Sequence, residues 1–323
     1  MGAIEQAVER ISNMHTGGRF PAFREARTHR EVEPMLPRDR PMDDRVQSER
    51  GERLSANTSF YDDEAPRAPR GGVTPASQKG YFELPYQELN AAGMVVAGAG
   101  SRNQLSEEYR AIKRPILTAI DIAKYDGIKN TNMVMVTSCV SGEGKTFSAI
   151  NLAISIAMER DRSVLLIDGD VTNPSCGERL GFNAKRKGLT DLLLDPDLNI
   201  NDVVCQSDIP NLRFLPAGSS AHHVTELLSS RSMAELVEGL SRSFKDRVII
   251  FDTAPMLLTS EASVVADLAG QIVFVVAAES TTQGMVSDAL KMVNNHSRVG
   301  YILNKTRKKQ SNIYGYGYGY GVG

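Results

Sequence analysis

The chain has 323 residues, 41% of them hydrophobic and 24% charged, with a formal net charge of −2. That is ordinary soluble composition and carries no electrostatic footprint for nucleic acid. Its cysteines, Cys139, Cys176 and Cys205, have neither metal nor disulfide spacing, and no apolar run approaches the ~20 residues of a bilayer span.

The start, Met1 to Gln6, is acidic, unlike a signal peptide, and lacks the Ser/Thr at residue 6 that N-myristoylation wants. A cytoplasmic chain is expected; if it works at a membrane, a partner must take it there. Residues 3–14, within an N-terminal element 1–16, place Ile4, Val8 and Ile11 on one helical face. So short a helix is not stable alone in water, leaving docking and fraying both open. Residues 17–104 read as a disordered arm. Arg, Glu, Asp, Pro and Ser dominate up to Pro85, and too little apolar area is available to offset the ordering entropy. The small apolar run 91–100 leads into the domain as an extended segment.

A folded domain is expected over 105–305. Its first helix starts around Ser106, with Pro115 bending or splitting it. Strands follow at 133–137, 163–168, 212–216, 247–252, 271–277 and 299–303, alternating with helices near 145–159, 189–194, 224–242, 260–267 and 283–295. The alternation predicts an α/β fold with a mostly parallel central sheet and helices on both faces, and Gly142-Glu143-Gly144-Lys145-Thr146 after the first strand makes it P-loop NTPase-like. His222 and His223, adjacent and without a third ligand, read as surface residues.

After the apolar run Met133 to Val136, Gly142-Glu143-Gly144-Lys145-Thr146 opens an amphipathic helix. Glycines there let successive backbone N–H groups turn inward, and the helix adds its positive N-terminal end, which makes a phosphate cradle. Lys145 is placed to reach β/γ-phosphates and the Thr146 hydroxyl to ligate Mg²⁺. Cys139 stands where the usual first glycine would be. Two further buried strands end in Asp168-Gly169-Asp170 and in Asp252-Thr253-Ala254-Pro255. Ligands of open parallel sheets bind outside the carboxyl ends of strands, so these side chains are expected at one edge around a Mg²⁺–nucleotide.

Residues 306–323 form a basic turn, Arg307-Lys308-Lys309, and a tail in which Tyr314, Tyr316, Tyr318 and Tyr320 alternate with glycine. Glycine at that frequency disfavours helix and strand. Such a tail offers several equivalent phenols to a neighbouring active site without fixed register.

This order of motifs resembles the bacterial tyrosine kinases of capsular and exopolysaccharide systems, over roughly residues 105–323. Ile4-Glu5-Gln6-Ala7-Val8-Glu9-Arg10 also looks like the start of the stand-alone kinases of exosortase-linked loci. The family's Walker A, A′ and B motifs align with 138–146, 164–170 and 248–255. The resemblance implies ATP-dependent autophosphorylation on the tail tyrosines between subunits of a ring-like homo-oligomer, regulating polymer synthesis and export. The implied nucleotide-binding set is Ser141, Gly142, Glu143, Gly144, Lys145, Thr146, Phe147 and Asn304; Asn304 as a strand-closing turn residue stays open. Thr146, Asp170 and Asp252 are the implied Mg²⁺ set, and Lys145, Asp168, Asp170 and Asp252 the catalytic set, with Asp168 favoured over Asp170 as base.

The family's subunit-contact motif aligns with Glu107, Arg110 and Lys113, Lys standing where Arg is usual, so Arg114 is a second candidate. Thr172 replaces an Arg that often follows the paired aspartates. A separate transmembrane polysaccharide co-polymerase as activator and a cognate tyrosine phosphatase are the implied partners. Two other classes remain: a partition or division-site ATPase switch, which usually carries a second lysine where Val140 stands, and an ATP-binding scaffold without catalysis.

Overall fold

The computed structural model describes residues 80–95, 104–125, 129–182, 186–220, 223–243, 247–294 and 298–306. The N-terminal helix candidate, most of the expected arm, His222 and the tyrosine tail lie outside the described residues. Among the described residues, eight strands form one sheet, in the order β1-β4-β5-β3-β6-β2-β7-β8. They are β1 (Tyr81–Phe82), β2 (Met133–Ser138), β3 (Ser163–Asp168), β4 (Cys205–Ser207), β5 (Leu212–Leu215), β6 (Arg247–Asp252), β7 (Gln271–Ala277) and β8 (Val299–Asn304). All neighbours pair in parallel except β4 and β5, which are antiparallel.

Strands β2 and β6 are buried along their whole length, as near-continuous apolar runs flanked by strands and covered on both faces must be. The pleat separates the faces. Val134, Val136, Val164, Leu166 and Ile250 share a core cluster with Ile150, Ile154 and Ile156 of α3 (Lys145–Ala157) and with Ile116 and Ile120 of α2 (Gln104–Tyr125). Met133, Met135, Leu165, Ile167 and Phe251 are equally buried, at the alternate positions. The helix Glu261–Leu268 packs on β2, burying Ala262, Val265 and Ala266 at helical spacing.

Several expectations need correction. Residues 80–95, assigned to the flexible arm, belong to the fold: β1 extends the sheet edge beside β4, and Tyr86–Ala91 forms α1. Asp208 accepts from the Leu84 N–H at 3.2 Å and the Tyr86 hydroxyl at 2.5 Å, while Asn151 Oδ1 accepts from the Val95 N–H at 2.6 Å. Pro115 does not split its helix. Tyr109, Ile116, Leu117 and Ile120 hold the helix down on both sides of it, and Pro115 and Ala111 face outward, where the freed carbonyl is accessible to water. The helix expected over 224–242 is two, Val224–Leu228 and Arg231–Ser243, because Ser230 Oγ accepts the Met233 N–H at 3.2 Å and starts a new helix.

Candidate active site

Adjacent strands β3, β6 and β2 deliver the chemistry. Asp168 and Asp252 are register partners at the ends of β3 and β6. Just beyond, the Gly169 N–H donates to the Asp252 carbonyl at 2.7 Å. A side chain at Gly169 would put its Cβ 2.7 Å from the Phe251 ring, so only glycine fits between the two aspartates. The chain leaving β2 passes through Gly142 at φ 83° and Gly144 at φ 100°, the left-handed region that glycine alone enters without strain. Helix α3 starts directly after Gly144.

Lys145 Nζ donates to Asp170 Oδ2 at 2.7 Å and lies 3.9 Å from Asp252 Oδ1. Thr146 Oγ1 donates to Asp252 Oδ2 at 2.6 Å and stands 3.0 Å from Ser175 Oγ. Asp168 Oδ2 accepts the Cys176 N–H at 3.1 Å. The second oxygens, Asp168 Oδ1 and Asp252 Oδ1, are buried without a hydrogen-bond partner. One ammonium thus faces three buried carboxylates. Burial, then the Asp252 charge, pushes the Asp168 carboxyl up to about 7. Burial likewise raises Asp252 against the pull of Lys145. Lys145 loses by burial but gains more from Asp252 and Asp170, and is held above the usual lysine value.

The remaining predicted residues divide. Glu143 turns inward: only 2% exposed, its carboxylate accepts the Val140 N–H at 2.7 Å, the Ala277 N–H at 3.5 Å and the Thr281 hydroxyl. Its side chain shapes the loop from behind. Asn304 Nδ2 donates to the Glu143 carbonyl at 2.8 Å and Lys305 Nζ to the Gly142 carbonyl at 2.6 Å, so the end of β8 clamps the loop. Ser141 is exposed at the loop tip, and the Phe147 ring packs against the core. Lys113 is not on the exposed contact face: 8% exposed, it donates to the Ser155 carbonyl at 2.6 Å and pairs with Glu159 at 2.9 Å. Glu107 and Arg110 pair on the exposed face, and Arg114 is exposed one turn further on. Thr172, in place of the usual Arg, donates to Asp170 Oδ1 at 3.2 Å. His223 is exposed, 3.8 Å from Glu226. Tyr314, Tyr316, Tyr318 and Tyr320 lie outside the described residues.

Sequence reasoning missed Ser175, Cys176 and Thr281. Ser175 was findable, because a serine before a short helix reads as a cap; its hydroxyl instead meets Thr146. Cys176 contributes its backbone N–H to Asp168, which residue type does not announce, and its thiol to Asp252 Oδ2 at 3.5 Å.

Among the described residues no group of three His, Cys, Asp or Glu side chains is arranged to hold a metal ion. The site nevertheless suits Mg²⁺, which takes one or two carboxylates and leaves the rest of its shell to water and phosphate. Asp252 supplies a buried oxygen without a hydrogen-bond donor, and its other oxygen accepts from the Thr146 hydroxyl.

A left-handed glycine turn opening a helix, with a lysine and strand-end aspartates around it, defines a P-loop nucleotide-binding α/β protein. Residues 131–304 match the family described as an AAA domain. The chain is 31% identical over 223 residues to the tyrosine-protein kinase YwqD of Bacillus subtilis, covering 68% of this chain and 90% of that protein. It is 34% identical over 204 residues to the putative tyrosine-protein kinase AmsA of Erwinia amylovora, covering 62% of this chain but only 27% of that relative. The kinase domain of the Escherichia coli tyrosine kinase ETK aligns with a TM-score of 0.58 and 26% identity, over 76% of this chain and 89% of that domain. The chain belongs to the AAA-domain family and, within it, to the bacterial tyrosine-protein kinases of exopolysaccharide and capsule type.

Proposed function

We propose that this chain is an ATP-dependent tyrosine autokinase that phosphorylates Tyr314, Tyr316, Tyr318 and Tyr320 of a neighbouring copy. The observation carrying this is the convergence of Lys145, Thr146, Asp168, Asp170 and Asp252 at the ends of three adjacent strands and the loop that follows β2. The loop N–H groups and Lys145 bind the β- and γ-phosphates of ATP. Thr146 and Asp252, with Asp170, would hold Mg²⁺, which when bound would neutralise charge on the phosphates. Asp168 orients the acceptor phenol and takes its proton. The phenol oxygen forms a bond to the γ-phosphorus as the bond to the β–γ bridging oxygen breaks, and ADP leaves. Chemistry of this kind is mostly positioning and charge stabilisation. Burial suits Asp168 to this role, because a carboxyl raised to about 7 is a stronger base than an ordinary aspartate and stays partly ionised at neutral pH.

The exposed face carrying Glu107, Arg110 and Arg114 is assigned to contact between copies in a ring-like homo-oligomer. Each phosphotyrosine adds about −1.5 to −2 charges, enough in a cluster to loosen charge-complementary contacts. No helix among the described residues is long and apolar enough to cross a membrane. We assign recruitment to the inner membrane, and activation, to a separate transmembrane polysaccharide co-polymerase, with a cognate tyrosine phosphatase resetting the cycle. The output is regulation of exopolysaccharide or capsule synthesis and export.

The test is γ-labelled ATP with Mg²⁺ on the full chain, followed by mass spectrometry of the C-terminal peptide. Label on the tail tyrosines, abolished by Lys145→Met, is the expected outcome. Release of inorganic phosphate without protein labelling identifies an ATPase switch, and neither outcome identifies a scaffold; both refute the kinase reading.

A further inference from the structure

Two carbonyls of the phosphate loop are held from outside it. Lys305 Nζ donates to the Gly142 carbonyl at 2.6 Å and Asn304 Nδ2 to the Glu143 carbonyl at 2.8 Å. These carbonyls belong to consecutive peptide groups, whose N–H ends are those of Glu143 and Gly144. A trans peptide is planar and sets its N–H opposite its carbonyl. Fixing both carbonyls towards the end of β8 therefore turns both N–H groups to the other side of the loop. Among the described residues neither N–H donates to a protein acceptor. Two neighbouring donors aimed the same way form a concavity that receives an anion.

The surroundings hold this contact in place. A side chain at Gly144 would put its Cβ into the Asn304 amide, so the glycine is what admits it. Asn304 is itself fixed, because it pairs in register with Ala277 and its carbonyl accepts the Ala278 N–H at 2.8 Å. The same end of β7 reaches the loop a second time, through the Ala277 N–H and the Glu143 carboxylate at 3.5 Å. Lys305 takes φ 58°, uncommon for a residue with a side chain, and such strain persists where surrounding contacts hold it. Resting on the nucleotide-binding part of the reading above, we infer that Asn304 and Lys305 are positioning residues for the triphosphate. They set its affinity by aiming the Glu143 and Gly144 N–H groups, and Asn304 serves the loop instead of reading the base. Lys305 adds a second effect: a cation on the Gly142 carbonyl polarises that peptide and makes the Glu143 N–H a stronger donor. What this pair helps to recognise is phosphate oxygen, whatever nucleoside carries it.

The experiment uses the full chain and two probes, Mg·ATP and Mg·tripolyphosphate, the second a triphosphate with neither base nor sugar. Kd is measured by calorimetry for wild type, Asn304→Ala, Lys305→Met and Lys305→Arg. Loss of the amide donor predicts a Kd about 3- to 10-fold higher for Asn304→Ala. Loss of the exposed cation predicts about 2- to 5-fold for Lys305→Met. Each factor is the same for both probes, and Lys305→Arg stays at the wild-type Kd. Lys305 is exposed, so its variants keep the fold and carry the test alone should Asn304→Ala not fold. A Kd raised for Mg·ATP but not for Mg·tripolyphosphate overturns the inference and gives these residues to the base. Unchanged Kd for both probes in Asn304→Ala and Lys305→Met also overturns it, because the loop then aims its donors unaided. A wild-type chain without saturable Mg·ATP binding removes the nucleotide reading and this inference together. One that binds Mg·ATP but labels no tyrosine removes the kinase reading and leaves this inference standing.

Discussion

Replacing Lys145 by methionine removes phosphotransfer on the reading above, and the structure predicts a second effect, on the ligand-free fold. The Lys145 side chain is 12% exposed, that of Asp170 3% and that of Asp252 0%. Methionine keeps the stem and deletes the ammonium, leaving Asp168, Asp170 and Asp252 with no cation among their described contacts. Truncating one partner of a buried ion pair costs about 3–5 kcal/mol. Asp170 keeps the Thr172 hydroxyl and the Asn173 N–H, each at 3.2 Å, which places the cost near about 3 kcal/mol. With a urea m-value near the top of the ~1–3 kcal/mol/M range, the midpoint falls by about 1 M. The penalty depends on pH in a definite sense. Asp168, already pushed up to about 7, and Asp252, also raised, rise further once the ammonium is gone. A carboxyl whose folded pKa lies above its unfolded value makes the folded state the better proton binder. Its contribution is present at low pH and lost as pH rises through the folded value. The defect of Lys145→Met is therefore largest at pH 8 and shrinks towards pH 5, and adding Asp170→Asn recovers part of it. Equal urea midpoints for wild type and variant at pH 8, or a defect that grows on acidification, would refute the reasoning.

Three further predictions are independent of that one. Glu143→Gln presents an amide donor where the carboxylate accepts N–H groups of Val140 and Ala277, so stability drops by about 1–3 kcal/mol in urea unfolding and Mg·ATP affinity weakens. Phenylalanine at Tyr314, Tyr316, Tyr318 and Tyr320 removes most of the label that wild type takes from ATP, and full phosphorylation of wild type lowers its sedimentation coefficient through loss of subunit contacts. Lys113→Met costs about 1–3 kcal/mol of stability by orphaning the Ser155 carbonyl and Glu159, whereas Arg110→Ala or Arg114→Ala weakens self-association and leaves the urea midpoint within about 0.5 kcal/mol of wild type.

The parts of this molecule legible from sequence are those whose signal is local. Ser163–Asp168 and Arg247–Asp252 announce themselves as buried strands because five consecutive positions are nearly all apolar and then stop at a carboxylate. The phosphate loop is legible because glycines, lysine and threonine must follow one another for the turn to form. What sequence misassigns depends on where a side chain ends up. Glu143 stands inside the loop motif, yet only the three-dimensional arrangement shows its carboxylate reaching Thr281, 138 residues away. Lys113 fits a contact motif at helical spacing, but the burial of Ile116 and Ile120 rotates it inward against α3. Residues 80–95 looked unstructured because Tyr81, Phe82, Leu84, Leu89 and Met94 follow no period; they are ordered by partners such as Asp208, more than a hundred residues later.

The charge balance of the site links its ligand-free form to the chemistry. Three carboxylates within reach of one ammonium would be poorly tolerated if all were ionised, and burial with the Asp252 charge holds the Asp168 carboxyl up at about 7. Lys145 cannot keep its full contact with Asp170 and also lie along a triphosphate, so phosphate binding releases Asp170. A triphosphate alone would bring negative charge into this cluster and be opposed by it. On the proposed reading, a triphosphate arriving with a divalent cation would give Asp170 and Asp252 a new partner as Lys145 moved to the phosphates. On the proposed kinase reading, preference for a metal-bound over a free triphosphate would be a consequence of this one arrangement of Lys145, Asp168, Asp170 and Asp252.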